Sequence, residues 1–269
     1  MSVLIVIPAR YASTRYPGKP LVALRDPDGT EKTLIQRSWE AAMAVRGIAR
    51  VVVATDDARI RDAAEGFGAE VVMTSSDCRN GTERCAEVAA ALPGSEIVVN
   101  LQGDAPLTPP WFIEDLIEGL RADPSAEVAT PVLRCDGRAL NSFLADRRAG
   151  RVGGTTAVFG VTRHALFFSK EVIPYTGRPY ADAEATPVFH HVGVYAYRPS
   201  ALALYPDWPT GPLEELEGLE QLRFLENGRR VLCVEVEARG RQFWELNNPE
   251  DVARIEAMLA EMQTGRDPA

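Results

Sequence analysis

VLIVIPARYASTRYPGKPL, Val3 to Leu21, decides how the rest of the chain reads. Val3 to Ile7 are apolar at every position and mostly β-branched, the pattern of a strand covered on both faces. The polar segment behind it carries Arg10, Arg15 and Lys19 among small residues, with Gly18 just before the lysine. Arg10, Arg15, Lys19 and Arg25 all precede the first acidic residue, Asp26. Small residues let backbone N–H groups approach oxygens, guanidinium groups make forked contacts, and an ammonium adds a compact charge. Such a loop has the parts needed to hold a polyphosphate, although both the Walker A pattern and the GxGxxG fingerprint are absent.

Working outward, four more apolar runs follow: Val51 to Ala54, Glu70 to Met73, Ile97 to Leu101 and Glu127 to Val132. Amphipathic stretches separate them. Thr33 to Val45 carries Leu34, Ile35, Trp39, Ala42 and Met43 on one stripe. Asp57 to Phe67 carries Ile60, Ala63, Ala64 and Phe67, with Gly68 placed to end it. Asn80 and Glu83 have capping-box spacing for a third helix. A fourth is expected with Thr108 as cap and Pro109 in its first turn. This alternation predicts an α/β fold with an open sheet.

The second half is less regular. Arg151 to Phe168 and Pro187 to Tyr197 have strand character and suggest a mixed-sheet excursion. Leucines at 213, 216, 219, 222 and 225 predict one helix from Leu213 to Glu226, with its leucines in the core and Glu217, Glu220 and Gln221 near one another. Val231 to Val236 is a further strand. Pro249 to Met262 is the closing helix, capped by Asn248. Residues 1–263 read as a single domain, and 264–269 as a frayed tail.

Ligands gather at the carboxyl ends of strands in open α/β sheets. Four successive strands are followed here by the Arg10–Lys19 loop, by Asp56-Asp57, by Asn80-Gly81-Thr82-Glu83-Arg84 and by Gln102-Gly103-Asp104. Asp104 reads equally as a turn aspartate or as an oxygen ligand for Mg²⁺. On the predicted strand HHVGVYAYR, His191, Gly193, Tyr195 and Tyr197 share one face, and His190, Val192, Val194 and Ala196 the other. The second face reads as core, and the first as the lining of a polar pocket or a set of structural residues. His164 reads as surface.

Composition sets the outer bounds. The 269 residues are 46% hydrophobic and 25% charged, ordinary for a globular protein. A net charge of −9 argues against nucleic acid as a partner but permits a small anion at a local basic cluster. No apolar run is long enough to cross a bilayer, so no membrane partner is expected. The opening stretch lacks the flanks of a signal peptide, and the four cysteines form no CxxC pair. Both point to a reducing, cytoplasmic setting.

PARYASTRYPGKPL (Pro8 to Leu21), VATDD (Val53 to Asp57), NGTER (Asn80 to Arg84) and NLQGDAP (Asn100 to Pro106) together resemble the 3-deoxy-manno-octulosonate cytidylyltransferases. The resemblance continues, in order, through ALFFSKEVIP (Ala165 to Pro174), HHVGVYAYR (His190 to Arg198), LEQLRFLENG (Leu219 to Gly228) and NNPED (Asn247 to Asp251). It implies the nucleotide-diphosphosugar transferase fold, an open mixed sheet with helices on both faces. A mid-chain excursion of about residues 133–200 would contribute to the sugar site and to a homodimer contact. It implies CTP and an acidic 3-deoxy-2-ketosugar (Kdo or a close analogue) as substrates, with Mg²⁺ as cofactor and pyrophosphate released. Arg10, Ser13 and Lys19 match triphosphate-loop positions, and Asn80, Gly81 and Thr82, with Arg84 beside them, the loop near the nucleotide. Arg15, Gln102, His191, Tyr195, Glu220 and Gln221 match sugar-side positions. Asp104 matches a metal aspartate and, with Arg10 and Lys19, makes up the expected catalytic set.

The chain departs from that pattern in three places. Where the family commonly reads VDTPED, this chain has LNNPED (Leu246 to Asp251), so Asn247 stands in place of a second metal aspartate. An extended Trp244–Asn247 segment puts Glu245 on the same face, and Glu245 is the carboxylate expected to compensate in part. The common VKVV is TTAV at Thr155 to Val158, and QGDEP is QGDAP at Ala105. These changes bear on the acceptor sugar more than on the nucleotide. Activation of another acidic acceptor, or a nucleotide-binding paralogue with weakened turnover, are the alternatives. A nucleotide-sugar glycosyltransferase calls for an Asp-x-Asp pair, and Gln102-Gly103-Asp104 has one acid. The resemblance leaves open whether the product feeds lipopolysaccharide biosynthesis or capsule.

Overall fold

The computed structural model describes residues 2–12, 16–152, 154–241, 246 and 248–263. The backbone forms two compact units, Met1–Glu114 with Ala238–Ala269, and Asp115–Glu237.

The first unit is built on four parallel strands. β1 (Val3–Ala9) lies between β4 (Arg50–Thr55) and β6 (Ile97–Leu101), and β5 (Glu70–Met73) extends the order to β5-β4-β1-β6. Every residue of β1 and β6 is buried, which is why these runs are apolar without alternation. Between β1 and β4 comes a small hairpin, β2 (Ala23–Arg25) with β3 (Glu31–Thr33), which sequence reasoning missed. Arg25, one of the basic residues ahead of Asp26, belongs to it and pairs with Glu31 at 2.7 Å. Asp26, at the hairpin turn, makes a buried 3.1 Å ion pair with Arg37.

The first three connecting helices each have a side-chain cap. Thr33 accepts from the Gln36 N–H at the start of α1 (Leu34–Met43). Asp57 caps α2 (Ala58–Gly66), which gives way to Gly68 at φ +88°. Asn80 accepts from the Glu83 N–H at the start of α3 (Gly81–Ala91). The Glu83 carboxylate reaches back and accepts from the Arg79 N–H at 2.8 Å. α4 (Pro110–Ala122) begins later than expected. Thr108 lies two positions before its first residue, and its hydroxyl donates to the Ala105 carbonyl at 3.0 Å.

The second unit is largely antiparallel. β7 (Val128–Asp136) leads into α5 (Gly137–Arg148), β8 (Thr155–Phe159), β9 (Ala165–Ser169), β10 (Ala185–His191) and β11 (Val194–Tyr197). β10 and β11 both run antiparallel to β7, but their registers differ. His191 faces Val132, whereas Ala196 faces Ala129. The Val192-Gly193 interruption therefore adds two residues against β7, and alternation is kept across it. Short helices α6 (Pro199–Leu202), α7 (Pro212–Glu217) and α8 (Leu222–Glu226) follow, then β12 (Val231–Glu235), parallel to β7.

The single helix expected over Leu213–Glu226 is thus two. Gly218, at φ +60°, ends α7, and its N–H donates to the Glu214 carbonyl at 2.7 Å. A three-residue leucine period slips about 60° per step around a 3.6-residue helix, so it cannot keep one buried stripe. Leu216 is 82% exposed, and Glu214 and Arg223 are buried instead. The closing helix α9 (Asp251–Gln263) starts two residues later than expected, and the Asp251 carboxylate accepts the Asn248 N–H at 2.7 Å. It packs Ile255, Met258 and Leu259 onto Leu24, Leu34, Leu107 and Leu246. All four cysteines are free thiols.

Candidate active site

The first unit gathers its polar groups where the parallel strands end. Lys19 follows Gly18, whose φ of +72° and N–H bond to the Tyr11 carbonyl at 2.9 Å close the loop after β1. Three residues past β6, Asp104 meets it. Lys19 Nζ donates to Asp104 Oδ2 at 2.5 Å, with both side chains partly screened from water. Gly103 makes the approach possible, because a Cβ there would lie 2.9 Å from the Pro8 carbonyl oxygen.

The α3 N-terminus, which follows the edge strand β5, reaches the same end. A Cβ on Gly81 would lie 3.1 Å from Gln102 Nε2, 3.3 Å from Asn100 Nδ2 and 3.3 Å from the Pro8 ring, so Asn80-Gly81-Thr82 and Gln102 do come together. Asn100 is fully buried and neither of its amide atoms has a partner among the described residues. The N-terminus of α3 and the unsatisfied Asn100 carboxamide make this end of the sheet receptive to a polar ligand. Arg10 is exposed at the first position beyond β1.

Arg84, expected beside the nucleotide loop, is buried. Its guanidinium is 3% exposed, pairs with Asp56 at 3.3 Å and donates to the Thr74 hydroxyl. It ties the ends of β4 and β5 together beneath the loop. The sequence reading does not include the contact that Arg59 makes with the loop after β1. The Arg59 guanidinium lies 3.3 Å from the centre of the Tyr11 ring while it pairs with Asp57 at 2.6 Å, and the Tyr11 ring sits against Gly18. Arg59 holds the Asp57 carboxyl below its ordinary range. The sole sequence signal was an arginine at the first turn of α2.

Ser13, Arg15, Glu245 and Asn247 lie outside the described residues. Leu246, between the last two, is described, and its N–H donates to the Asp104 carbonyl at 3.0 Å. Among the described residues no cluster of three or more His, Cys, Asp or Glu side chains forms a metal cage. A lone, partly exposed carboxylate suits Mg²⁺, which takes one or two carboxylates and fills its shell with water and phosphate.

In the second unit His191, Tyr195 and Gln221 form one connected set. Thr130 Oγ1 lies 3.0 Å from His191 Nε2, the His191 ring is 5.7 Å from Tyr195, and the Tyr195 hydroxyl donates to Gln221 Oε1 at 3.1 Å. This is the face assigned from the strand period, but it is buried, like the face opposite: His191 is 6% and Tyr195 3% exposed. Burial pushes the His191 imidazole down to about 3, so it is neutral at ordinary pH. Gln221 Nε2 is buried without a partner among the described residues. Glu220 sits beside it, its carbonyl taking the Tyr205 hydroxyl at 3.0 Å. Glu217 does not join this set, since it accepts from the Ser169 hydroxyl at 2.6 Å and the Lys170 N–H at 2.9 Å. His164 is not a free surface residue either, for it pairs with Asp123 at 2.9 Å.

Comparison with known proteins agrees with this layout. A family model described as Cytidylyltransferase matches residues 4–231. A 3-deoxy-manno-octulosonate cytidylyltransferase from Maricaulis maris is 46% identical over 97% of this chain and 98% of its own. An 8-amino-3,8-dideoxy-manno-octulosonate cytidylyltransferase from Shewanella amazonensis is 39% identical over 96% and 99%. A solved structure of CMP:2-keto-3-deoxy-manno-octonic acid synthetase complexed with CTP superposes with a TM-score of 0.82 at 35% identity, covering 97% of this chain and 100% of that one. With the α/β fold and the strand-end cluster already in place, these likenesses show that the chain is a nucleotidyltransferase and belongs to the 3-deoxy-manno-octulosonate cytidylyltransferase family.

Proposed function

We propose that the chain transfers CMP from CTP to the anomeric hydroxyl of 3-deoxy-manno-octulosonate, releasing pyrophosphate. The observation that carries this reading is the Lys19–Asp104 pair beside the α3 N-terminus, which places a cation and a metal-type carboxylate at one strand edge. The sugar hydroxyl attacks the α-phosphorus in line, and the P–O bond to pyrophosphate breaks. Such a transfer asks the protein for alignment and charge neutralisation rather than a covalent nucleophile. Lys19 and Arg10 take the phosphate charge, and Ser13, Asn80, Gly81 and Thr82 position the nucleotide. We assign recognition of the sugar to Gln102 and Arg15 in the first unit and to His191, Tyr195, Glu220 and Gln221 in the second, on the family resemblance. Asp104, with Glu245 and Asn247, would hold Mg²⁺, which supplies charge neutralisation at the phosphates when bound. The Leu246 to Asp104 bond supports that grouping.

Pyrophosphate release with CTP, Mg²⁺ and a panel of acidic sugars tests the reading. Release with Kdo is expected. Release with the 8-amino-3,8-dideoxy sugar alone favours a modified acceptor, a reading supported by the Shewanella relative. CTP binding with no release from any sugar favours a paralogue that has lost turnover.

The proposal includes a homodimer through residues 133–200, supported by the exposed Val152, Val161, Leu166 and Tyr175 side chains and checked by sedimentation. Four free thiols support a reducing, cytoplasmic setting, and no helix among the described residues is long and apolar enough to cross a membrane.

A further inference from the structure

Glu214 and Arg223 form an ion pair almost without water. Arg223 is 1% exposed, and its Nε and Nη2 each donate to one Glu214 oxygen at 2.6 Å. The guanidinium lies 4.2 Å from the centre of the Tyr205 ring. The pair therefore fastens α7 to α8 across the four residues 218–221. Further ties act on the same turn. The Glu226 carboxylate accepts the N–H groups of Leu213 and Glu214 at 2.9 and 3.1 Å, and the Tyr205 hydroxyl holds the Glu220 carbonyl at 3.0 Å. At the end of this turn sits Gln221, with Oε1 already used by Tyr195 and Nε2 buried and unpartnered among the described residues.

A buried ion pair is often no more stabilising than apolar residues of the same volume, so stability alone does not account for this one. What a two-pronged arginine–carboxylate contact does is fix relative orientation. We propose that the Glu214–Arg223 pair is a positioning device that holds the 218–221 turn so that Gln221 Nε2 donates to an oxygen of the bound acidic sugar. The inference rests on the proposed function, which places Gln221 at the sugar.

The test compares E214L/R223M, R223K and Q221A by thermal unfolding and by KM for each substrate. The apolar double variant is expected to keep the parent Tm, to raise KM for Kdo about tenfold, the worth of one well-placed hydrogen bond, and to leave KM for CTP unchanged. R223K keeps the charge but gives up the fork, so a smaller rise confined to Kdo is expected. If the double variant fails to fold, R223K decides alone, and an unchanged KM for Kdo overturns the proposal. A rise in Q221A without one in either pair variant also overturns it while sparing the proposed function. An unchanged KM for Kdo in Q221A instead removes Gln221 from the sugar site. Equal rises for both substrates in the pair variants indicate general loosening and overturn the positioning role.

Discussion

Lys19 and Asp104, separated by 85 positions in sequence, share a 2.5 Å charge-assisted hydrogen bond at the carboxyl edge of the parallel strands. On the proposed function each is the other's placeholder, the ammonium for phosphate and the carboxylate for a cation. D104N is expected to lower kcat about a hundredfold, in the range of losing one preorganised electrostatic contact. K19M is expected to cost turnover similarly but to tighten Mn²⁺ binding in the absence of nucleotide, because the carboxylate no longer has a competitor. Electron paramagnetic resonance titration with Mn²⁺ reads the second effect, and unaltered affinity in K19M would show that the pair is not in competition with metal.

The Arg59–Tyr11 contact predicts a separable phenotype. An exposed cation–π contact is worth about 0.5–1 kcal/mol, so R59A should raise KM for CTP about two- to fivefold. KM for the sugar should hold steady. Steady-state kinetics with each substrate varied in turn checks this, and a parallel rise in both constants would show that Arg59 does not act through the phosphate loop.

Replacing Gly103 by alanine places a Cβ 2.9 Å from the Pro8 carbonyl oxygen, a backbone atom. The Ser38 hydroxyl, which donates to the Gly103 carbonyl at 3.1 Å, resists a shift. G103A is expected to lose about 1–3 kcal/mol by overpacking and to displace Asp104. Urea unfolding measures the first and Mn²⁺ affinity the second; parental values for both would mean that the strand ends yield freely.

His191 sets an acid limit on stability. Burial first, and then the charge of His190, bring it down to about 3, whereas in the unfolded chain it titrates near its ordinary 6.5. Between those values the unfolded state binds the extra proton, so stability falls as pH drops through this window, by about 1.4 kcal/mol per pH unit. Urea midpoints at pH 5 and pH 7 test this against H191Q, whose profile should be flatter. An identical slope in the variant would assign the acid lability elsewhere. Activity changes near neutral pH should not arise from this imidazole.

The parallel core of the first unit was legible because β1 and β6 are apolar on both faces and because Thr33, Asp57 and Asn80 cap helices with their own side chains. The β2–β3 hairpin was not, since strands of three residues carry too little pattern. Neither was the break at Gly218, where evenly spaced leucines imitate a helix that geometry forbids. At the site, reading strand ends located Lys19, Asp104, Gly81 and Gln102. It did not foresee that Arg84 spends its charge on Asp56 and Thr74, nor that Arg59 stacks on Tyr11. Those contacts join residues distant in sequence, and no local spacing encodes them.

The interruption at Val192-Gly193 governs what length changes this strand tolerates. Because it inserts an even number of residues against β7, everything downstream keeps its side. Removing one residue there would turn Tyr195 and Tyr197 over and bring Val194 and Ala196 to the side where the phenol now meets Gln221. Viable insertions or deletions at this point should therefore come in pairs.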